Sequence, residues 1–133
     1  MIVVDTNIIA YFYLPTEYTP LTEKLMGQEP VWAAPTLWRS ELRNVLALYL
    51  RKKALTFDQA YGIQTEAETL LAEHEFEMDS CEVLRLAEIS HCSAYDGEFV
   101  ALATHLDLPL VAADKKILKA FPSIAISLAE AVA

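Results

Sequence analysis

The sequence predicts a three-layer α/β/α sandwich built on a central, mainly parallel β-sheet. Three observations predict it. Short apolar runs alternate with longer stretches of helical periodicity, the runs are apolar on both faces, and no two-residue hairpin signal joins any pair of them. Strands of that kind must be covered by helices on both sides.

Met1–Val4 is apolar and β-branched and reads as a buried strand. Asn7–Leu14 reads as a brief helix stopped by Pro15, and Leu21–Met26 as a second short helix closed by Gly27. Val31–Ala34, between Pro30 and Pro35, is the next strand. A long helix follows from Thr36 to about Lys52. Thr56 and Gln59 form a capping box that opens another, running to about Ala72. Phe76–Met78 reads as a short strand, and Asp79 or Ser80 caps a helix to about Ser90. Ala94–Leu106 is one more helix, Leu110–Ala113 a strand, Lys115–Ala120 a short helix and Ile124–Ile126 a last strand.

The chain has 133 residues, 54% of them apolar, which suits one domain over 1–133 with roughly two-thirds of its surface buried. No apolar run approaches the ~20 residues of a membrane span, and the opening residues lack the basic start of a signal peptide. Cys81 and Cys92 match neither zinc-site nor disulfide-framework spacing, so a reducing cytoplasm is the expected setting. The formal net charge is −9. Residues 58–98 hold eleven acidic residues against one cation, Arg85, while basic residues gather at Arg39, Arg43, Arg51–Lys53 and Lys115, Lys116 and Lys119. Such a balance argues against tight non-specific nucleic-acid binding, which is driven by phosphate neutralisation.

Four carboxylates stand in unusual places. Asp5 directly follows the first strand and Asp114 directly follows Leu110–Ala113. Both therefore project from the carboxyl edge of the sheet, where open parallel sheets bind ligands; as single residues, each also suits a helix cap. Glu41 lies among apolar residues of its helix. At about 100° per residue, Leu48 and Leu37 fall about 20° and 40° to one side of it, and Val45 and Trp38 about 40° and 60° to the other. A charge there is costly unless paired or bound to a cation, and Arg43 and Arg51 do not share its face. Asp96 is flanked by Phe99, Val100 and Ala103, although Ser93 and Asp96 also read as a capping box. Glu98 points outward and reads as solvated surface. No His or Cys joins the four acids; His74, His91 and His105 read as surface or structural residues.

Four acids at one edge repel one another unless a multivalent cation joins them, and hard oxygen ligands select Mg²⁺ or Mn²⁺. Such a cation activates water and stabilises charge on a phosphoryl group, so the chemistry implied is hydrolysis of a phosphodiester.

These segments resemble a known family. Val3-Val4-Asp5-Thr6-Asn7-Ile8-Ile9, the helix carrying Ser40-Glu41-Leu42 and Asn44, Ser93-Ala94-Tyr95-Asp96 with Phe99-Val100-Ala101-Leu102-Ala103, and Leu110-Val111-Ala112-Ala113-Asp114-Lys115-Lys116 resemble the PIN-domain ribonucleases. The VapC toxins of toxin–antitoxin pairs are the nearest group, and the match runs in order from Val4 to Leu118. The resemblance implies a PIN-like fold and a Mg²⁺- or Mn²⁺-dependent endoribonuclease that cleaves single-stranded regions of RNA, often tRNA or rRNA. It implies that Asp5, Glu41, Asp96 and Asp114 are the metal-binding catalytic quartet, that Thr6 supports the first Asp and its water, and that Asn7 is the polar residue beside it. It also implies a homodimer and a VapB-like antitoxin whose tail crosses the groove. Arg39, Arg43 and Lys115 are candidate RNA contacts by proximity.

Competing readings remain. A haloacid-dehalogenase-like phosphatase wants a second Asp where Asn7 stands, and a receiver-like signalling domain wants an acidic pair where Val4-Asp5 supplies one acid. A catalytically silent PIN-like binding module is the third; loss of carboxylates is its usual sign, and all four are present. The run Tyr11–Leu14 is denser in apolar residues than one helix face needs and could serve a second subunit or an antitoxin.

Overall fold

The structure, a computed structural model, describes residues 1–133. Five strands, β1 (Ile2–Val4), β2 (Trp32–Pro35), β3 (Glu75–Phe76), β4 (Leu110–Ala112) and β5 (Ala125–Ser127), form one sheet. Its order is β3-β2-β1-β4-β5, and every pairing is parallel. Eight helices cover it: α1 (Thr6–Tyr13), α2 (Thr19–Gln28), α3 (Trp38–Arg51), α4 (Phe57–Leu71), α5 (Ser80–Ser90), α6 (Ala94–Leu106), α7 (Lys115–Ala120) and α8 (Leu128–Ala131). The result is the α/β/α sandwich with a parallel central sheet that the alternation of short apolar runs and helices predicts.

The order places the site. From β1 the chain moves outward through β2 to β3, then returns to pair β4 on the other side of β1. The switch point is therefore between β1 and β4, and the crevice beyond their carboxyl ends is where such a sheet takes a ligand. A receiver-type sheet has the order 2-1-3-4-5, which this chain does not follow. α6 packs over β1, β2 and β4 with α5 against it, while α1 packs against α2, α3 and α4. Gly97 lets α5 and α6 approach closely: a Cβ there would stand 3.3 Å from the carbonyl oxygen of Val83.

Several boundaries differ from the sequence reading, each for a local reason. Pro20 sits in the first turn of α2, where its missing N–H costs nothing, so the helix begins at Thr19. It also runs through Gly27 to Gln28, because Gly27 is not in the left-handed conformation that ends a helix. Pro35 belongs to β2 as its last residue, and α3 starts at Trp38. The third strand is displaced to Glu75–Phe76, and β5 to Ala125–Ser127, where Ser127 caps the unforeseen α8.

The run Tyr11–Leu14 is mostly spoken for inside the chain. Leu14 is fully buried, the ring of Phe12 packs on Trp32 with centroids 5.3 Å apart, and Tyr11 pairs with Tyr18 at 4.8 Å.

Arg39 is also occupied. Its Nε and Nη2 donate to the two carboxylate oxygens of Glu75 at 2.6 and 2.7 Å, and Nη1 donates to Glu68 at 3.0 Å. Trp38 Nε1 donates to the same Glu75 at 2.7 Å. This fork holds α3 to β3 and α4 and gives Arg39, expected from proximity as an RNA contact, two acidic partners inside the chain. Replacing it with Ala is expected to lower stability by about 1–3 kcal/mol, chiefly by leaving Glu75 short of its partners. Urea denaturation of Arg39→Ala checks this.

Candidate active site

Asp5 ends β1 and caps α1: its Oδ1 accepts the N–H of Ile8 at 3.1 Å. Its Oδ2 accepts the N–H of Ala113 at 3.0 Å, across 108 positions of sequence, and so ties the ends of β1 and β4 together. The residue is 5% exposed. Burial pushes its pKa from an ordinary 3.8 up to about 6, against the pull of these backbone hydrogen bonds. The next residue, Thr6, is buried and donates its hydroxyl to Glu41 Oε1 at 2.7 Å, so the start of α1 is joined to the first turn of α3.

Asp114 caps α7 through the N–H of Lys116 at 2.8 Å. Asp96 occupies the first turn of α6, where its N–H donates to the capping Ser93 hydroxyl at 3.0 Å. Asp114 is thus a helix cap, and Asp96 sits in the first turn of a helix that Ser93 caps; both places put the residue at the edge of the cleft.

Asp5, Glu41 and Asp96 each feel an acidic neighbour. Burial is the largest cause raising the pKa of both Glu41 and Asp96, and the Asp96 charge raises Glu41 further. Asp114 acts in the same sense on Asp5 and on Asp96. Glu98 corrects the sequence reading: it is half-buried, its own pKa is raised by burial, and its charge also raises Glu41. Lys116 acts in the opposite sense on Asp96.

All four carboxylates line one cleft of about 410 Å³ with Thr6, Asn7, Ser40, Asn44 and Tyr95. Four segments that are far apart in sequence thus meet at the switch point. Arg43 and Lys115 are exposed but do not line it. Ser40, Asn44 and Tyr95 are lining residues that the sequence reading quoted within motifs without assigning to the site. Helix periodicity offers a signal for Asn44, three residues after Glu41 and on the same face, but not for its immediate neighbour Ser40.

The surroundings of Glu41 differ in kind from the expectation. The buried stripe of α3 is Trp38, Leu42 and Leu46. Leu37 and Val45 are half-buried cleft wall, and Leu48 is 46% exposed. Glu41 therefore sits in the wall of an open crevice, not in the core.

No three acidic, His or Cys side chains stand close enough together to enclose a metal ion by themselves. The donors nevertheless fit a hard cation. Mg²⁺ keeps several waters and takes one or two carboxylates directly, so a tight all-protein cage is not its usual site. Asp5 accepts two backbone hydrogen bonds, and a carboxylate has about four lone-pair positions, which leaves acceptor capacity facing the cleft.

The raised pKa of Asp5 has a sign for stability. Without metal, the native state holds this proton more tightly than the unfolded chain, so stability falls as pH rises from about 4 to about 6 and is level above that. The cost at neutral pH is about 3 kcal/mol, at ~1.4 kcal/mol per pH unit. Urea midpoints in EDTA at pH 4.5 and 7 are expected to show this fall for the wild type relative to Asp5→Asn. Parallel pH dependence in the two proteins contradicts it.

A parallel α/β/α domain with a carboxylate-lined cleft at its switch point defines a class of acid-site domains suited to phosphoryl chemistry. The comparisons make that class specific. The PIN domain family model matches residues 2–122, and the chain belongs to the PIN domain family. It is 26% identical over 126 residues to Ribonuclease VapC3 of Pyrobaculum aerophilum, covering 92% of this chain and 96% of the relative. Two solved structures share the fold. The crystal structure of PAE2754 from Pyrobaculum aerophilum has a TM-score of 0.72 and 20% identity, with 98% of this chain and 92% of that one covered. FitAcB from Neisseria gonorrhoeae has a TM-score of 0.75 and 17% identity, with 96% and 98% covered. Membership of this family removes the phosphatase and receiver readings. No helix is long and apolar enough to cross a membrane.

Proposed function

We propose that this chain is a Mg²⁺- or Mn²⁺-dependent endoribonuclease that cleaves single-stranded regions of RNA, such as those of tRNA or rRNA, and is the toxin of a type II toxin–antitoxin pair. One observation carries the proposal: Asp5, Glu41, Asp96 and Asp114 converge on a single cleft, although burial opposes the charging of Asp5, Glu41 and Asp96. Such an arrangement is stabilised when a divalent cation enters. The similarity to a relative named as a ribonuclease supports the substrate class.

Bound Mg²⁺ or Mn²⁺ would supply activation of water and stabilisation of charge on the phosphoryl group. The chain's own contribution is positioning. Asp5 is held in place, because one oxygen accepts the N–H of Ile8 in the first turn of α1 and the other the N–H of Ala113 just after β4. Thr6 orients Glu41 through its hydroxyl. Asp96 and Asp114 are set at the starts of α6 and α7, and Asn7, Ser40 and Asn44 add neutral polar groups to the cleft.

The partners follow from charge and surface. An acidic chain with an acidic cleft suits a basic segment from a VapB-like antitoxin. A structural relative, FitAB, is described as bound to an IR36 DNA fragment, with a TM-score of 0.71 and 18% identity, and is consistent with a regulatory assembly of this kind. A homodimer is proposed as well, and exposed Leu84 and Ile89 on α5 supply apolar surface for it. Both cysteines are free, which suits the cytoplasm.

The test is incubation of the purified chain with end-labelled single-stranded RNA in Mn²⁺, in Mg²⁺ and in EDTA. Cleavage that requires the ion supports the proposal. Intact RNA in all three, or equal cleavage in EDTA, overturns it.

A further inference from the structure

Beside the acidic cleft lies a second cavity of about 430 Å³, lined by Ser90, His91, Cys92, Lys116, Lys119 and Ala120. Its character is the reverse of its neighbour's. Lys116 and Lys119 are one helical turn apart on α7, both are exposed, and neither has an ion-pair partner within 4 Å. In a chain of net charge −9, two free lysines and an imidazole around one hollow form a locally basic site.

The two cavities share their framework. Lys116 is two residues after Asp114, so their Cα atoms are at most about 7 Å apart. Its N–H is bonded to the Asp114 carboxylate, and its charge reaches Asp96. The opposite wall of the basic cavity ends at Cys92, whose Sγ faces the carbonyl oxygen of Lys116 at 3.9 Å, and three residues on is Tyr95 on the cleft rim. The Tyr95 ring is 62% exposed, which leaves it open to stack on a base.

We infer that the Lys116–Lys119–His91 cavity is a phosphate subsite for single-stranded RNA, gripping a backbone phosphate next to the one held at the carboxylates. The inference rests on the ribonuclease reading of the cleft and deepens it. An acidic cleft repels the strand it must cut, and a separate basic grip offsets that repulsion without neutralising the cleft. A strand with phosphates at intervals and bases between them matches a sequence of acidic cleft, aromatic rim and basic cavity. An acidic peptide has no use for the aromatic rim.

Lys119→Gln and Lys116→Gln/Lys119→Gln test it, with Lys119→Arg as the conservative control. Steady-state cleavage of labelled single-stranded RNA in Mn²⁺ gives KM and kcat, and fluorescence anisotropy of the same RNA in EDTA gives the salt dependence of binding. The double variant is expected to raise KM about tenfold, and Lys119→Gln, which leaves the Lys116 charge near Asp96 in place, to raise KM about threefold with kcat at saturation within about twofold. The slope of log affinity against log salt is expected to fall by about 0.7 for each lysine removed, and Lys119→Arg to keep the wild-type slope. If the wild type cleaves RNA but the double variant keeps its KM and slope, the subsite is wrong and the ribonuclease reading stands. The subsite is equally wrong if kcat falls with KM unchanged, or if only binding of an acidic protein partner is weakened. If the wild type neither binds nor cleaves RNA, both readings fall.

Discussion

Asp5→Asn is expected to abolish RNA cleavage and to leave the chain folded. The loss is expected to be about 10²–10³-fold or more, the range for removal of one preorganised charge-stabilising group. The fold survives because two effects of similar size oppose each other. Removing the buried charge relieves a cost of about 3 kcal/mol at neutral pH. The Asn side chain, however, presents an N–H₂ to one of the two backbone N–H groups that the carboxylate now satisfies, at Ile8 and Ala113. An unsatisfied buried donor costs about 1–3 kcal/mol, which nearly cancels the gain. Circular dichroism melts of Asp5→Asn beside the wild type, in EDTA, check the second half, and the RNA assay checks the first. A variant that melts normally and still cuts RNA contradicts the role given to Asp5.

Trp32→Ala is the substitution expected to damage the fold most. Trp32 is fully buried in β2, its ring packs edge-on against Phe12, and its Nε1 donates to the carbonyl oxygen of Glu29 at 2.8 Å. Truncation opens a cavity beside the pairing of Ile2 with Trp32 and removes that hydrogen bond. A cost of about 3–5 kcal/mol is expected, which lowers Tm by about 10–20 °C. Phe57→Ala provides the contrast. Phe57 is 70% exposed on α4, and its loss is expected to change stability by less than about 0.5 kcal/mol. Calorimetric melts of the two variants decide the matter; equal shifts contradict the packing described.

Asp5 and Asp114 were legible in the sequence because each follows an apolar run, and the end of a parallel strand is a place where topology alone locates a ligand. Asp96 was legible because its helix has a cap and an apolar flank close together in sequence. Glu41 does line the cleft, but its surroundings are not the apolar stripe that periodicity suggests. Periodicity registers that Leu37, Val45 and Leu48 share its face, but not whether that face meets a core or a crevice. Only tertiary packing separates the Trp38–Leu42–Leu46 stripe from its neighbour.

The basic residues were the least legible. Proximity to Glu41 suggested Arg39, but Glu68 and Glu75, which hold it, lie 29 and 36 positions away. Sequence proximity points to Lys115, while Lys116 and Lys119 line the second cavity, and the face of a six-residue helix cannot be fixed by periodicity. Glu98 was assigned to solvent from its own helix alone, without the charge it presents to Glu41 from α6.

The central claim is that the four carboxylates form a divalent-cation site, and titration of Mn²⁺ into the metal-free chain, followed by isothermal calorimetry and by Tm, tests it most directly. The account predicts saturable binding by the wild type, a rise in stability of about 2.7 kcal/mol at a hundredfold excess over Kd, and loss of both in Asp5→Asn and Asp114→Asn. No saturable binding by the wild type, or binding that survives both substitutions, would contradict it.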